Sequence, residues 1–187
     1  MIREAELFVI SEQVLVEVIG RVRPGDGATV LPPLFPGHDR PTPITEAIAR
    51  HARDDAAVPE ALGGTAGEVG DDPAAAVGRL AEAACAAART VTDGETKVGD
   101  VTVRDHLVRL AVARSFLAHD IAMHLGSRAC PLTEEQARGL WEITEPEAQY
   151  WRDQGIFAEP LTPVPADVSW RDRFLMSAGR DPHALDH

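Results

Sequence analysis

VTVRDHLVRLAVARSFLAHDIAMHLG, from Val101 to Gly126, is the longest uninterrupted helical pattern in the chain. Leu107, Leu110, Ala111, Leu117, Ala118, Ile121, Ala122 and Leu125 recur at steps of three and four, the spacing that lets a helix bury one broad stripe. Thr102 stands where an N-cap hydroxyl is needed, Asp105 brings negative charge to the first turn, and Gly126 supplies the C-terminal stop. At about 100° per residue, His106, Ala113, Leu117 and His124 fall close to one line, with Asp120 beside His124 and His119 well away from it. Two imidazoles on a largely apolar stripe predict a polar pocket along this helix.

The rest of the 187 residues is read outward from that helix. Abundant alanine, 5% aromatic residues and short β-branched runs favour helices and one all-α domain over residues 1–187. A bundle is expected over 1–160, with a C-terminal arm over 161–187 packing on it. The net charge of −12 leaves no basic stripe for phosphate, so nucleic acid and anionic membranes are excluded as partners. No run approaches membrane-spanning length and the N-terminus lacks signal-peptide architecture, which predicts a cytoplasmic protein. Cys85 reads as core, while Cys130, ahead of a helix, is a candidate exposed and activated thiol.

A first helix is expected from about Glu4 to Gly20, with Leu7, Ile10, Val14, Leu15 and Val18 inward and Glu6, Glu12 and Glu17 leaving on the outer side. Residues 21–43 carry six prolines, too many for a helix or a sheet interior. So long an irregular stretch, bearing Leu31, Leu34, Phe35 and His38, is read as a cover over a pocket or over the bundle end. Thr45 begins a second helix whose inward face runs through Ala47 and Ile48 to His51. Asp72 with Pro73 opens an alanine-rich third helix. A turn or small hairpin is expected between Thr90 and Val101, a capped helix from Thr133 with Gln136, a kink or restart at Pro146, and a short helix from about Ser169 to Ala178.

Three segments carry a family likeness. DQGIFAEPLTPVPADVSWRDRFLMSAGRDP resembles a G-x-F-x-x-P-x-x-V-P connection followed by an arginine-containing short helix and G-R-D-P. HDIAMHLG resembles a W-D-L-A-x-x-x-G helix end, and RPTPITEAIARHA is a weaker third match. In this order they resemble the DinB-like helical bundles, in the branch related to mycothiol-dependent maleylpyruvate isomerase. The resemblance implies a four-helix bundle, a divalent metal such as zinc or nickel, and chemistry using a low-molecular-weight thiol. His51 matches the family's second-helix ligand; the other two usual ligands, a Glu-x-x-x-His pair, fall on Ala113 and Leu117, which bind no metal. His51 is therefore the only family-matching ligand, and the implied metal triad is incomplete.

Two functions stay open from the sequence. In one, the protein is an isomerase- or transferase-like enzyme working by metal-independent acid–base chemistry on a small molecule. His51, His124, Asp120 and His106 would then be catalytic, and Arg114, Phe35 and Leu117 would contact substrate. In the other, it is a non-catalytic binding or regulatory bundle whose former metal site has filled with apolar side chains. A pocket reached by His51 and a second polar group distinguishes the first from the second. Monomer and homodimer both stay open.

Overall fold

The computed structural model describes residues 1–126, 130–165 and 167–183. The fold is all-α, with seven helices among the described residues: α1 (Arg3–Ile19), α2 (Ile44–Ala61), α3 (Pro73–Arg89), α4 (Val103–His124), α5 (Glu134–Thr144), α6 (Ala148–Asp153) and α7 (Trp170–Ser177). Strand content is limited to two-residue pairs, β1 (Val30–Leu31) with β2 (Thr42–Pro43) and β3 (Lys97–Val98) with β4 (Val101–Thr102), both antiparallel. The second pair is the hairpin expected before α4; the first braces the proline-rich segment from within.

Local chemistry sets the helix starts. Thr102 accepts a hydrogen bond from the Asp105 N–H at 3.0 Å, Asp72 from the Ala75 N–H, Thr133 from the Gln136 N–H and Ser169 from the Asp172 N–H. The Gln136 side chain departs from the expected capping box. It is buried and donates to Ser11 and Ser115 at 3.0 and 3.2 Å, joining α5 to α1 and α4. Pro146 restarts the chain through a 3-10 turn, Glu145–Glu147, before α6.

The four long helices form the framework, with α1 against α4, α2 against α3, and α1 also against α3. α4 is buried on nearly all sides from Ala111 to Met123, because α1, the proline-rich segment and the C-terminal arm all cover it. Phe116 sits at its middle, with the rings of Phe157 and Phe174 at centroid distances of 5.8 and 5.5 Å. Each such ring contributes roughly 1.5–3 kcal/mol by leaving water, so the C-terminal arm is an integral part of the core.

The proline-rich segment is an ordered excursion. The Gly37 N–H donates to the Gly155 carbonyl at 2.9 Å, and His38 Nε2 donates to the Gln154 carbonyl at 2.6 Å. A Cβ on Gly37 would lie 2.6 Å from Gly155 Cα, and Gly155 itself has φ of +65°, so both glycines are required by this backbone contact. Arg180 ties the same segment from the other side, donating to the Leu34 carbonyl at 2.7 Å.

Candidate functional site

Three helices bring one polar cluster into the core. α1 contributes Glu12, α2 contributes His51 and, one turn on, Asp55, and α4 contributes Arg114; all four are buried. Glu12 follows Ala5 and Phe8 and precedes Leu15 at helical steps, so it lies on the buried stripe of α1 and not on the outer side with the exposed Glu6 and Glu17. His51 and Asp55, four apart, share the face of α2 that meets it.

Arg114 occupies one oxygen of each carboxylate. Its Nε donates to Glu12 Oε2 at 3.0 Å and its Nη2 to Asp55 Oδ1 at 2.7 Å. The opposite oxygens, Glu12 Oε1 and Asp55 Oδ2, lie 3.0 and 3.1 Å from His51 Nε2. None of these three atoms makes a hydrogen bond, although each is buried. The oxygens therefore stand off the axis along which the ring nitrogen donates or accepts.

That spacing is compatible with a coordination shell. Donors about 2.0–2.2 Å from a common ion stand about 3.0–3.5 Å from one another and point at the ion instead of at each other. The three atoms lie within 4.8 Å of one another, so Glu12, His51 and Asp55 form a buried cluster geometrically compatible with a divalent metal. Arg114 orients both carboxylates through their remaining oxygens, the role outer groups play around metal ligands.

The cluster divides its protons unevenly. Burial alone would raise Glu12, but His51 and Arg114 outweigh it and hold the carboxyl at about 2. Burial, reinforced by the charge of Glu12, pushes Asp55 up to about 6. For Arg114, burial works against the charge, and Glu12 and Asp55 overcome it, raising its pKa. Of the two carboxyls, Asp55 is the one held above its ordinary range and Glu12 the one held below it.

Access is narrow on one side and wider on the other. A niche of about 10 Å³, lined by Leu34, Ala47, His51, Ala113, Arg114 and Leu117, has room for roughly one water. A cavity of about 370 Å³ reaches Glu12 from between α1 and α3, beside Gln13, Glu82 and Cys85. Ala113 and Leu117 line the niche with His51 and carry no ligand atom there; the carboxylates come from α1 and from α2 itself.

The structure brings His51, Arg114 and Leu117 together and leaves the other expected site residues elsewhere. Arg114 is locked to two carboxylates, which leaves it no free fork for an anionic substrate. His106 is half-buried, its Nε2 has no hydrogen-bond partner, and burial followed by the charges of Arg114 and Arg109 lowers its pKa. Asp120 pairs with Arg180, and His124 Nδ1 donates back to the Asp120 carbonyl at 2.8 Å, both facing a separate cavity. Phe35 packs on the core and donates its N–H to Asp39, while its neighbour Leu34 is the residue over His51. Cys130 is half-buried and burial pushes its thiol up to about 11, the opposite of an activated cysteine. Residues 127–129 of the turn before it, like 166 and 184–187 of the arm, lie outside the described residues.

Compared with family models, with curated proteins and with solved structures, the chain matches none. No helix among the described residues is long and apolar enough to cross a membrane.

Proposed function

We propose that this protein is a small-molecule enzyme of the isomerase or transferase type, on a DinB-like bundle, whose reaction centre is the Glu12–His51–Asp55 cluster with a divalent metal ion. The observation that carries the reading is the clustering of three buried ligand atoms within 4.8 Å of one another, none of them hydrogen-bonded. Native interiors rarely leave three adjacent polar atoms unpaired, because each costs about 1–3 kcal/mol. A metal ion satisfies all three at once.

Glu12, His51 and Asp55 would hold the ion, and three protein ligands leave a position open, as catalytic sites do. Bound there, the ion would polarise an oxygen of a small molecule. The chain's own groups supply the remainder. Arg114 fixes the carboxylates through their remaining oxygens, and Leu34 and Leu117 keep bulk water from the niche. The family likeness of the HDIAMHLG segment and the C-terminal arm favours isomerase or thiol-dependent transfer chemistry.

One observation favours a second reading. Arg114 bridges both carboxylates and His51 Nε2 stands 3.0 and 3.1 Å from their other oxygens, so the same four residues also make a structural network in a non-catalytic bundle. Metal analysis separates the two. After chelator treatment and reloading, the wild type is expected to hold about one zinc, nickel or cobalt ion per chain, and His51→Ala and Glu12→Gln to hold none. A wild type that retains no ion at micromolar metal would leave the structural network as the answer.

A further inference from the structure

A cavity of about 640 Å³ lies between the first turns of α4 and the stretch from Ile143 to Trp151, where Pro146 separates α5 from α6. Its volume is that of ordinary small-molecule pockets, about 300–1,000 Å³. We propose that it binds a free α-amino acid with an apolar side chain, held as the zwitterion. The site shares no residue with the Glu12–His51–Asp55 cluster and does not depend on the metal reading above.

The apolar part of the ligand follows from the floor. Val108 and Trp151 are buried there, with Val101 and Ile143 half-buried beside them, so a hydrocarbon or aromatic side chain leaves water on entering. The Tyr150 ring stands at the rim, 48% exposed.

The charged part follows from two residues of α4. Asp105 and Arg109 are four apart, an acid one turn before a base, the spacing at which a helix ordinarily closes an ion pair. Here the pair is open. Arg109 turns away to the Tyr150 hydroxyl, a neutral acceptor at 3.3 Å, and among the described residues neither Arg109 nor Asp105 has an ion-pair partner. Glu147, on the facing wall, has none either. The remaining polar groups are occupied: Arg104 pairs with Glu4 and Glu95 at 3.5 and 3.2 Å, and the Gln149 amide donates to Asp153 at 2.8 Å. One cation and two carboxylates thus line an apolar cavity unpaired. A lone acid entering for Arg109 meets Asp105 and Glu147, and a lone amine entering for the carboxylates meets Arg109, each a like-charge contact. A zwitterion answers both signs at once, its carboxylate on Arg109 and its ammonium on Asp105 and Glu147.

The test uses the full chain, with and without chelator, and three probes sharing one aromatic group. L-Phenylalanine carries both charges; 3-phenylpropionate lacks the ammonium and 2-phenylethylamine lacks the carboxylate. By titration calorimetry L-phenylalanine is expected to bind at least about fivefold more tightly than either, the worth of one partly exposed ion pair. In ¹⁵N-tryptophan spectra it should move the Trp151 indole resonance. Arg109→Met should erase the advantage over 2-phenylethylamine and keep that over 3-phenylpropionate; Asp105→Asn combined with Glu147→Gln should do the reverse. These three side chains are exposed or half-buried, and the circular dichroism of the variants should match the wild type. Equal affinities for the three probes, tighter binding of the acid or the amine, no binding at millimolar concentration, or binding that leaves Trp151 unmoved would overturn the proposal. The chelated protein should behave as the untreated one, so the fate of this site is read separately from that of the metal centre.

Discussion

Around His51, four polar side chains from three helices fill the space between them, whereas beside the Arg180–Asp120 pair the proline-rich segment, α4 and the arm leave a cavity of about 500 Å³. Both regions are built on α4, and both contain an arginine paired with carboxylate. The Arg114 contacts are short, 2.7 and 3.0 Å to two different carboxylates; those of Arg180 to Asp120 are 3.3 and 3.4 Å, with a loop carbonyl taking its best bond. The first arrangement fixes donor atoms around a point, which suits an ion. The second fixes a wall and leaves volume, which suits a molecule.

Removing each arginine tests that contrast most directly. Arg114→Met strands two buried carboxylates and is expected to cost about 3–5 kcal/mol in urea unfolding of the metal-free protein. Arg180→Met leaves one carboxylate that borders a cavity, and the expected cost is about 1–3 kcal/mol. Equal losses would mean that the two pairs do the same work, and the distinction between them would fail.

Asp55 gives the next largest effect. Asp55→Asn is expected to weaken cobalt binding at pH 7 by at least about a hundredfold, since a ligand should matter more than its outer partners. In the wild type, the carboxyl at about 6 takes up a proton as pH falls, so affinity should drop by up to about tenfold per pH unit below that value. The metal-free protein shows the opposite slope from this group. Folded Asp55 keeps a proton that the unfolded chain releases above 3.8, so its contribution to stability falls as pH rises from 3.8 to about 6. Comparing wild type with Asp55→Asn across that range isolates it; parallel curves would reject the shift.

What the sequence shows of these regions follows the range of the forces involved. Thr102, Asp72, Thr133 and Ser169 act on amides three residues away, so the helix starts can be read from adjacent residues. His51 stands out because it ends an apolar stripe. Glu12 passes for a surface residue among Glu6 and Glu17, yet it interrupts the run Ala5, Phe8, Leu15 at helical steps, and a carboxylate inside such a stripe is the signal that was available. Arg114 likewise lies between buried Ala111 and Ala118 on α4. That these residues meet depends on how three helices pack, which no local pattern encodes. The line of His106, Ala113, Leu117 and His124 is geometrically sound, but its two imidazoles lie about two turns either side of the niche and face different surroundings.

Leu34 tests whether the proline-rich segment controls entry to His51. Leu34→Ala removes a half-buried side chain at a cost of about 1–2 kcal/mol and widens the niche shared with Leu117. Extraction of cobalt by a chelator should then quicken several-fold, with the affinity little changed. An unchanged extraction rate would direct entry through the cavity beside Glu12, between α1 and α3.

The smallest effect belongs to His119. Its ring is neutral in the fold because burial opposes charge, while in the unfolded chain it takes a proton below its ordinary value of 6.5. The unfolded state then binds more protons, so this contribution is fully present above 6.5 and is lost as pH falls toward the lowered folded value. One proton limits the slope to about 1.4 kcal/mol per pH unit. His119→Phe should remove that slope below pH 6.5 and leave the Asp55 behaviour intact, because the two groups lie at different centres. Loss of both slopes together would mean that the cavity and the cluster share one proton equilibrium, and the separation between them would have to be redrawn.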